Sequence, residues 1–393
     1  MSEIFSSCFN KKNIDYFLSL TISGILFWIV NFFGLGYTYD SNLYVAIAKE
    51  IDSTNFFLVE GFNIKPPVLP MLISLFSEQN MVWVNFFCYL WIQGLGVFWS
   101  RKITNTILRY SFLMILVFAT PHILISSFLW TEPIFLAIML LSFYFLDRFY
   151  QTNQQKFMVL AIILLVLLPF IRFAAIFLIF PLLGFLFLTS KKNKKSIFIS
   201  FLLILFLISG WVFFFQEGFS GRWERFIKPF VAGRLSHLEF NLFSYSKALS
   251  SWFFPYAMDG LVSKIISIVV ILTTIYKSSK TYLTQKRNII FLSPLLFLIY
   301  FFLMMLVFKV EYYSAERYLS IFYLLVVLNI FLQIDDSFEL IRSVYFKWGI
   351  YFGLGVFTFY SIFRTIKNVY FWYNLRDESL SADIVEELVF RLS

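Results

Sequence analysis

The sequence predicts an all-α polytopic membrane protein of about eleven transmembrane helices, joined by short helices at the outer surface. Three observations predict it. The first is composition: 60% of residues are hydrophobic, only 14% are charged, and the mean hydropathy is +0.79. A soluble fold has no interior large enough to hide that much apolar surface. The second is length: apolar runs close to the ~20 residues that cross a bilayer recur from end to end. They do not alternate, as 197–215 shows. A membrane β-barrel alternates in units of ~10 residues. Helices remain, because backbone facing lipid must satisfy its own hydrogen bonds. The third is charge placement. The net charge is +9, but the basic residues sit in short loops such as Lys191-Lys192-Asn193-Lys194-Lys195. That is the positive-inside pattern of membrane topology. It argues against a nucleic-acid face and any nucleic-acid partner.

Each element follows in order. Lys11 and Lys12 precede a first span at about 16–36, which places the N-terminus inside. This run is long enough to remain as an anchor rather than a cleaved signal. Residues 37–80 then form an outer loop. Within it Leu43, Ile47 and Ile51 recur every four residues, so Asp40–Ile51 reads as a short helix. Pro66, Pro67 and Pro70 break the chain before a short apolar stretch at the membrane. Further spans are expected at about 81–99, 110–129 and 133–147. The stretch 157–188 reads as two short spans meeting at Pro169–Phe173, with Arg172 outside. A span at about 197–215 leads to a second outer loop, 216–255. Span eight follows that loop, and spans nine to eleven are expected at about 289–308, 318–333 and 345–365. The transmembrane domain thus covers 1–366. The remaining tail, 367–393, repeats Leu380, Ile384, Leu388 and Leu392 and is expected as an amphipathic helix on the outer side. Cys8 and Cys88 fall in an inner tail and inside a span, so no disulfide is expected.

The informative residues lie at one surface. Asp40, Lys65, Glu132, Arg172, Glu316 and Arg317 all fall at outer ends of spans in this single topology. Ionisable groups at membrane depth tend to be paired, cavity-facing or functional. Each alone also fits an interface anchor or a structural ion pair, and Arg317 has Glu316 and Glu311 as nearby partners. Glu132, followed by Pro133 at the head of a helix, suits that position on helix grounds alone. Tyr44 lies one turn from Asp40 and can orient it, or simply anchor at the interface. Arg222, Trp223, Glu224, Arg225, Lys228, Arg234 and His237 in the second outer loop suit plain interfacial anchoring first, and also a lipid phosphate or anionic headgroups. His122 and His237 have no ligand spacing. No Gly-rich phosphate loop is evident, so neither a nucleotide sugar nor ATP is expected.

Asp40 with Tyr44 and Ala48, Lys65-Pro66-Pro67, Thr131-Glu132-Pro133, Arg172 after a proline and Glu316-Arg317-Tyr318-Leu319 carry a family resemblance. Together they resemble polyprenyl-phosphate-sugar-dependent glycosyltransferases of the GT-C fold. The nearest kind is the bacterial family-39-like enzymes, akin to protein O-mannosyltransferases and aminoarabinose transferases. The resemblance spans roughly 15–330. There are two departures: many relatives carry more spans or an outer C-terminal domain, and many carry two adjacent acids where Ser41 follows Asp40 here. The resemblance implies Asp40 as base and Glu132 as second catalytic acid. It implies a donor phosphate held by Lys65, Arg172 and Arg317, with Tyr44 beside them; from the basic character of the second outer loop, Arg222 and Arg225 are also expected on substrate. The expected partners are a polyprenyl-phosphate sugar, a lipid, glycan or protein acceptor, and membrane lipids. No cofactor or metal is expected, although oxygen ligands from Asp40 and Glu132 would suit a divalent ion. The expected location is a bacterial inner membrane with the site facing the periplasm. A transporter or flippase for a lipid-linked or anionic substrate is the competing reading. It predicts mid-membrane charges and half-to-half symmetry, and neither is evident in the sequence.

Overall fold

A computed structural model describes residues 11–53, 59, 65–189, 194–215, 235–255, 258–284, 288–307, 310, 312–338 and 340–377. Among them there is no strand. The helices run α1 (Lys11–Val30), α2 (Tyr39–Ser53), α3 (Val68–Phe76), α4 (Met81–Ser100), α5 (Thr106–Val117), α6 (Thr120–Ser126), α7 (Glu132–Thr152) and α8 (Gln155–Ile171). They continue as α9 (Ile176–Thr189), α10 (Lys194–Phe215), α11 (Leu235–Phe253), α12 (Leu261–Thr284), α13 (Ile289–Val307), α14 (Tyr312–Phe338) and α15 (Val344–Asp377). Seven spans among the described residues are long and apolar enough to cross a membrane. Four shorter apolar helices, Ile14–Val30, Gln155–Ile171, Phe173–Leu188 and Ile197–Leu207, accompany them. This is the architecture of an all-α, multi-pass membrane protein. Large apolar side chains such as Phe17, Phe87, Phe206, Phe352 and Phe359 stand exposed on its outer helices, as lipid-facing positions do.

The centre of the bundle is α14, which packs on α4–α7 and on α11–α13. Its residues Leu319, Ile321, Phe322, Leu325 and Leu328 are fully buried. Polar side chains lock it to its neighbours. Asn329 donates to the Ile290 carbonyl at 2.9 Å and accepts from Ser278 at 2.9 Å, while Gln333 donates to the Thr274 carbonyl at 2.8 Å. Such hydrogen bonds between helices hold bundles where lipid offers no competing water. Gly96 on α4 permits the closest approach. A Cβ there would lie 2.6 Å from Leu116 and 3.2 Å from Leu324.

Charged groups form two layers. At one end Arg109 pairs with Asp15 and Lys102 with Asp147, the latter at 3.0 Å. Asp335 accepts from the backbone N–H of Thr104 at 2.7 Å and of Asn105 at 3.0 Å. At the other end lie Asp40, Lys65, Glu132, Arg172 and Arg317. Along α14, Arg317 and Asp335 are separated by about 27 Å of helix rise, close to the ~30 Å hydrocarbon thickness.

The structure departs from the sequence reading at three elements, the third being the C-terminal helix α15. The expected span 110–129 is broken at Phe118–Ala119 and restarts as α6 with Pro121 in its first turn. Proline at that position lacks a donor the helix does not need there. The expected outer loop 216–255 ends in a 19-residue helix, α11, packed on α14 and α12. By contrast, Pro169 ends α8 at Ile171, and Arg172 leaves the helix in an extended conformation, at the break expected between two short spans. Of the outer tail expected over 367–393, residues 367–377 continue α15, so the expected boundary at 366 falls inside one helix; the stretch with Leu380, Ile384, Leu388 and Leu392 lies outside the described residues.

Gly96→Leu should lower the thermal midpoint of the purified protein by an amount corresponding to ~1–3 kcal/mol of overpacking. Gly94→Leu should leave it nearly unchanged, because nothing lies within 4 Å of a Cβ at Gly94.

Candidate active site

The site forms where four irregular segments, 31–38, 65–67, 127–131 and the break at Arg172, meet the N-terminal end of α14. The chain leaving α1 turns at Gly34, whose φ of +89° favours glycine. It then pairs with the segment after α6: the Gly36 N–H donates to the Ser127 carbonyl at 2.8 Å and the Leu129 N–H to the Gly36 carbonyl at 3.0 Å. Asn85 of α4 donates to the carbonyls of Ser126 and Phe128 at 3.2 and 2.9 Å. Irregular backbone near membrane depth needs such internal partners. Ser41 adds another tie. Its hydroxyl accepts from the Thr38 N–H at 3.0 Å and donates to the Leu129 carbonyl at 3.0 Å. Ser41 is therefore a buried hydroxyl that fastens α2 to the loop before α7.

Asp40 sits in the first turn of α2, where a carboxylate is favoured by the helix dipole. Its Oδ1 meets Lys65 Nζ at 2.6 Å and its Oδ2 accepts from Arg317 Nη1 at 3.0 Å. Pro66 and Pro67 are buried, and Pro67 immediately precedes α3, so the chain that presents Lys65 is held stiffly. Arg317 bridges to the second acid: its Nε meets Glu132 Oε1 and its Nη2 donates to Glu132 Oε2 at 3.3 Å. Arg172, freed from α8 by the break after Pro169, pairs with the same Glu132 carboxylate. The Thr131 hydroxyl donates to Glu132 Oε2 at 3.3 Å.

Aromatic rings back the cations. The Arg317 guanidinium lies 4.2 Å from the Trp130 ring centre, and Arg172 lies 4.5 Å from that of Tyr318. Lys65 Nζ is 5.5 Å from the Tyr44 ring centre. Trp130 is itself anchored, donating from Nε1 to the Thr38 hydroxyl at 2.9 Å. Guanidinium groups on aromatic faces gain attraction when partly desolvated.

Exposure separates the two acids. The Asp40 side chain is 30% exposed, whereas that of Glu132 is fully buried. Burial by itself would raise the Asp40 carboxyl, but Arg317 and Lys65 outweigh it and hold Asp40 down to about 2. Burial pushes the Tyr44 hydroxyl above its ordinary value, and the Asp40 charge adds to that, so Tyr44 stays protonated. Among the described residues, three cations (Lys65, Arg172 and Arg317) face two carboxylates, leaving one positive charge without a counter-ion.

Five of the six charged residues expected to converge do so: Asp40, Lys65, Glu132, Arg172 and Arg317. Glu316 does not. It points to the other side of α14 and pairs with Arg364 of α15 at 2.6 Å, so it is not the partner of Arg317. Tyr44 supports Lys65 through its ring rather than orienting Asp40 through its hydroxyl. Glu132 faces two guanidinium groups and Thr131, so it orders cations instead of reaching into open space. Arg222 and Arg225, expected on substrate, and Glu311 lie outside the described residues. His122 is buried in α6 edge-on to Tyr323. Among the described residues no group of three His, Cys, Asp or Glu side chains could hold a metal ion. Sequence reasoning missed Trp130, the clamp formed by Thr38 and Ser41, and Arg364. Trp130 had one available signal, its place directly before Thr131-Glu132-Pro133.

Comparison with protein-family models, with curated proteins and with solved structures finds no match to this chain.

Glu132→Gln should be among the most destabilising single changes, because it leaves both Arg172 and Arg317 short of a buried counter-ion. Removing one partner of a buried pair typically costs ~3–5 kcal/mol. Asp40→Asn should cost clearly less, since Glu132 still neutralises Arg317. Thermal midpoints of the two purified variants check the order.

Proposed function

We propose that this chain is an integral-membrane glycosyltransferase. It takes a sugar from a polyprenyl-phosphate donor and places it, with inversion, on a hydroxyl of a lipid, glycan or protein acceptor at the non-cytosolic face. The observation that carries the reading is the unbalanced charge among the described residues: three cations against two carboxylates, in a partly buried setting at one end of the bundle. An uncompensated buried charge is costly. One phosphodiester anion neutralises it. The preference for a lipid-linked donor follows from the setting, at the membrane surface and beside lipid-facing helices.

The chemistry uses what the site holds. The acceptor hydroxyl oxygen attacks the anomeric carbon. The bond from that carbon to the phosphate oxygen breaks, and its electron pair stays on the phosphate. The acceptor proton passes to Asp40. The leaving group is already an anion, so it needs cations rather than an acid, and Lys65 and Arg317 are placed to supply them. Both pair with Asp40. Donor binding draws them toward the phosphate and leaves Asp40 more basic. Glu132 keeps Arg317 and Arg172 aimed, so its part is electrostatic and positional rather than that of a second base. The basic loops at the opposite end, with Arg101, Lys102 and Arg109, support an orientation with the site away from the cytosol. A bacterial inner membrane with the site toward the periplasm is the location that fits this reading.

The test is transfer of label from a panel of radiolabelled polyprenyl-phosphate sugars by purified protein in nanodiscs, with a membrane extract as acceptor source. Wild type should transfer one of them, and Asp40→Asn should transfer it ~10²–10⁴-fold more slowly. Equal rates would remove Asp40 as base. Movement of an intact lipid-linked sugar across sealed vesicles without transfer would favour the transporter reading.

The pH profile should follow the same logic. In the free enzyme Asp40 is held at about 2, so it stays ionised down to strongly acid pH. The acid limb of kcat/KM, which reports the free enzyme, should therefore lie low. The limb of kcat, which reports the bound complex, should lie at higher pH, because the cations have moved to phosphate. Coincident limbs would contradict the proposed exchange of partners.

A further inference from the structure

Glu316 and Arg317 are neighbours on α14 but serve different sides of it. Successive residues on a helix project about 100° apart. Arg317 turns toward α2 and α7, and Glu316 turns toward α11 and α15. Glu316 is 1% exposed, and Arg364 Nη2 donates to its Oε1 at 2.6 Å. Arg364 Nη1 also donates to the Ser251 carbonyl, and the Ser251 hydroxyl lies 3.4 Å from Glu316 Oε1. Tyr360, one turn before Arg364, donates to the carbonyls of Ser251 and Phe254 at 3.1 and 2.8 Å. These carbonyls belong to the end of α11, where helix carbonyls lack partners of their own. Arg364 and Tyr360 thus join three helices at the depth of the site. Just before α14, Asn241 of α11 donates to the Met305 carbonyl at 2.7 Å and accepts from the Val310 N–H at 2.9 Å.

We propose that Glu316 and Arg364 are positioning residues for Arg317: their buried pair, clamped to the end of α11, fixes the rotation of the first turns of α14 and so aims the Arg317 guanidinium at the phosphate. This rests on the phosphate-binding reading above and adds a pair of residues on the far side of the helix. Arg317 is restrained at its tip by Asp40 and Glu132, but donor binding takes it from Asp40. The Glu316–Arg364 pair stays in place through that exchange and keeps the backbone that carries Arg317 from turning. A displacement of ~1 Å at a reacting group, from a change remote from the chemistry, can cost ~10²-fold. A purely structural role for the pair would lower stability without selecting against phosphate.

The experiment measures binding of polyprenyl phosphate and of uncharged polyprenol to the full-length protein in nanodiscs, alongside thermal midpoints. Wild type should prefer the phosphate. Arg364→Met and Glu316→Gln should weaken phosphate binding about tenfold or more, within the span for such misplacement, with polyprenol binding unchanged. Arg364→Lys should recover part of the loss. Lys102→Met, which breaks the pair with Asp147 at the opposite end, should lower the midpoint yet leave phosphate binding intact. If Arg364→Met does not accumulate, Glu316→Leu/Arg364→Leu replaces it, because removing both charges together is better tolerated than removing one. Folded variants that bind phosphate as wild type does would overturn the positioning role and leave the phosphate reading standing. A wild type that does not distinguish phosphate from polyprenol would remove that reading, and this inference with it.

Discussion

The end of the bundle that holds the candidate site depends on one guanidinium. Arg317 touches Asp40 on α2 and Glu132 on α7 at once. Two carboxylates brought together at low dielectric repel strongly, and the cation between them makes their approach favourable. Glu132 in turn neutralises Arg172, and Asp40 engages Lys65. The set is a chain of alternating charges that begins on the half-buried Lys65–Asp40 side and ends at the buried Arg172. It joins a surface helix, the head of α7, the break after α8 and the central helix α14. Each of these elements has its own apolar packing. At this end the ion pairs add to that packing and tie the four elements to one another.

The charges are held by backbone that is irregular yet satisfied. The pairing of Gly36 with the 127–129 segment, the two amide bonds from Asn85 and the clamp of Thr38 with Ser41 leave the loops around Asp40 and Glu132 little freedom. Aromatic backing by Trp130, Tyr318 and Tyr44 fixes the cations from behind without neutralising them. A proposed transferase needs that combination. Its cations must keep their charge for the departing phosphate and must already stand in place when it develops.

Much of this was legible in the sequence, for identifiable reasons. Depth in the membrane is written in hydropathy and in the placement of basic loops, so the convergence of Asp40, Lys65, Glu132, Arg172 and Arg317 at one surface could be read. The four-residue spacing of Leu43, Ile47 and Ile51 gave α2, and Pro169 gave the break that presents Arg172. Rotation about a helix axis is not written that way. Glu316 and Arg317 sit at the same depth, yet one faces α15 and the other the site. The helix α11 was hidden because its buried face carries Asn241, Ser244 and Ser251. A polar stripe that bonds inside the protein has the composition of a loop. The broken span at Phe118 was hidden because Pro121 lies inside an otherwise continuous apolar run. Ser41 read as a missing acid, when its hydroxyl is a structural tie between loops distant in sequence.

The most direct test is an experimental structure of the protein with polyprenyl phosphate bound. The phosphate oxygens should lie within hydrogen-bond distance of Lys65 and Arg317, with Asp40 released from Arg317 and Glu132 still pairing Arg172 and Arg317. A phosphate bound elsewhere, or one seated at the site while Asp40 keeps Arg317, would contradict this.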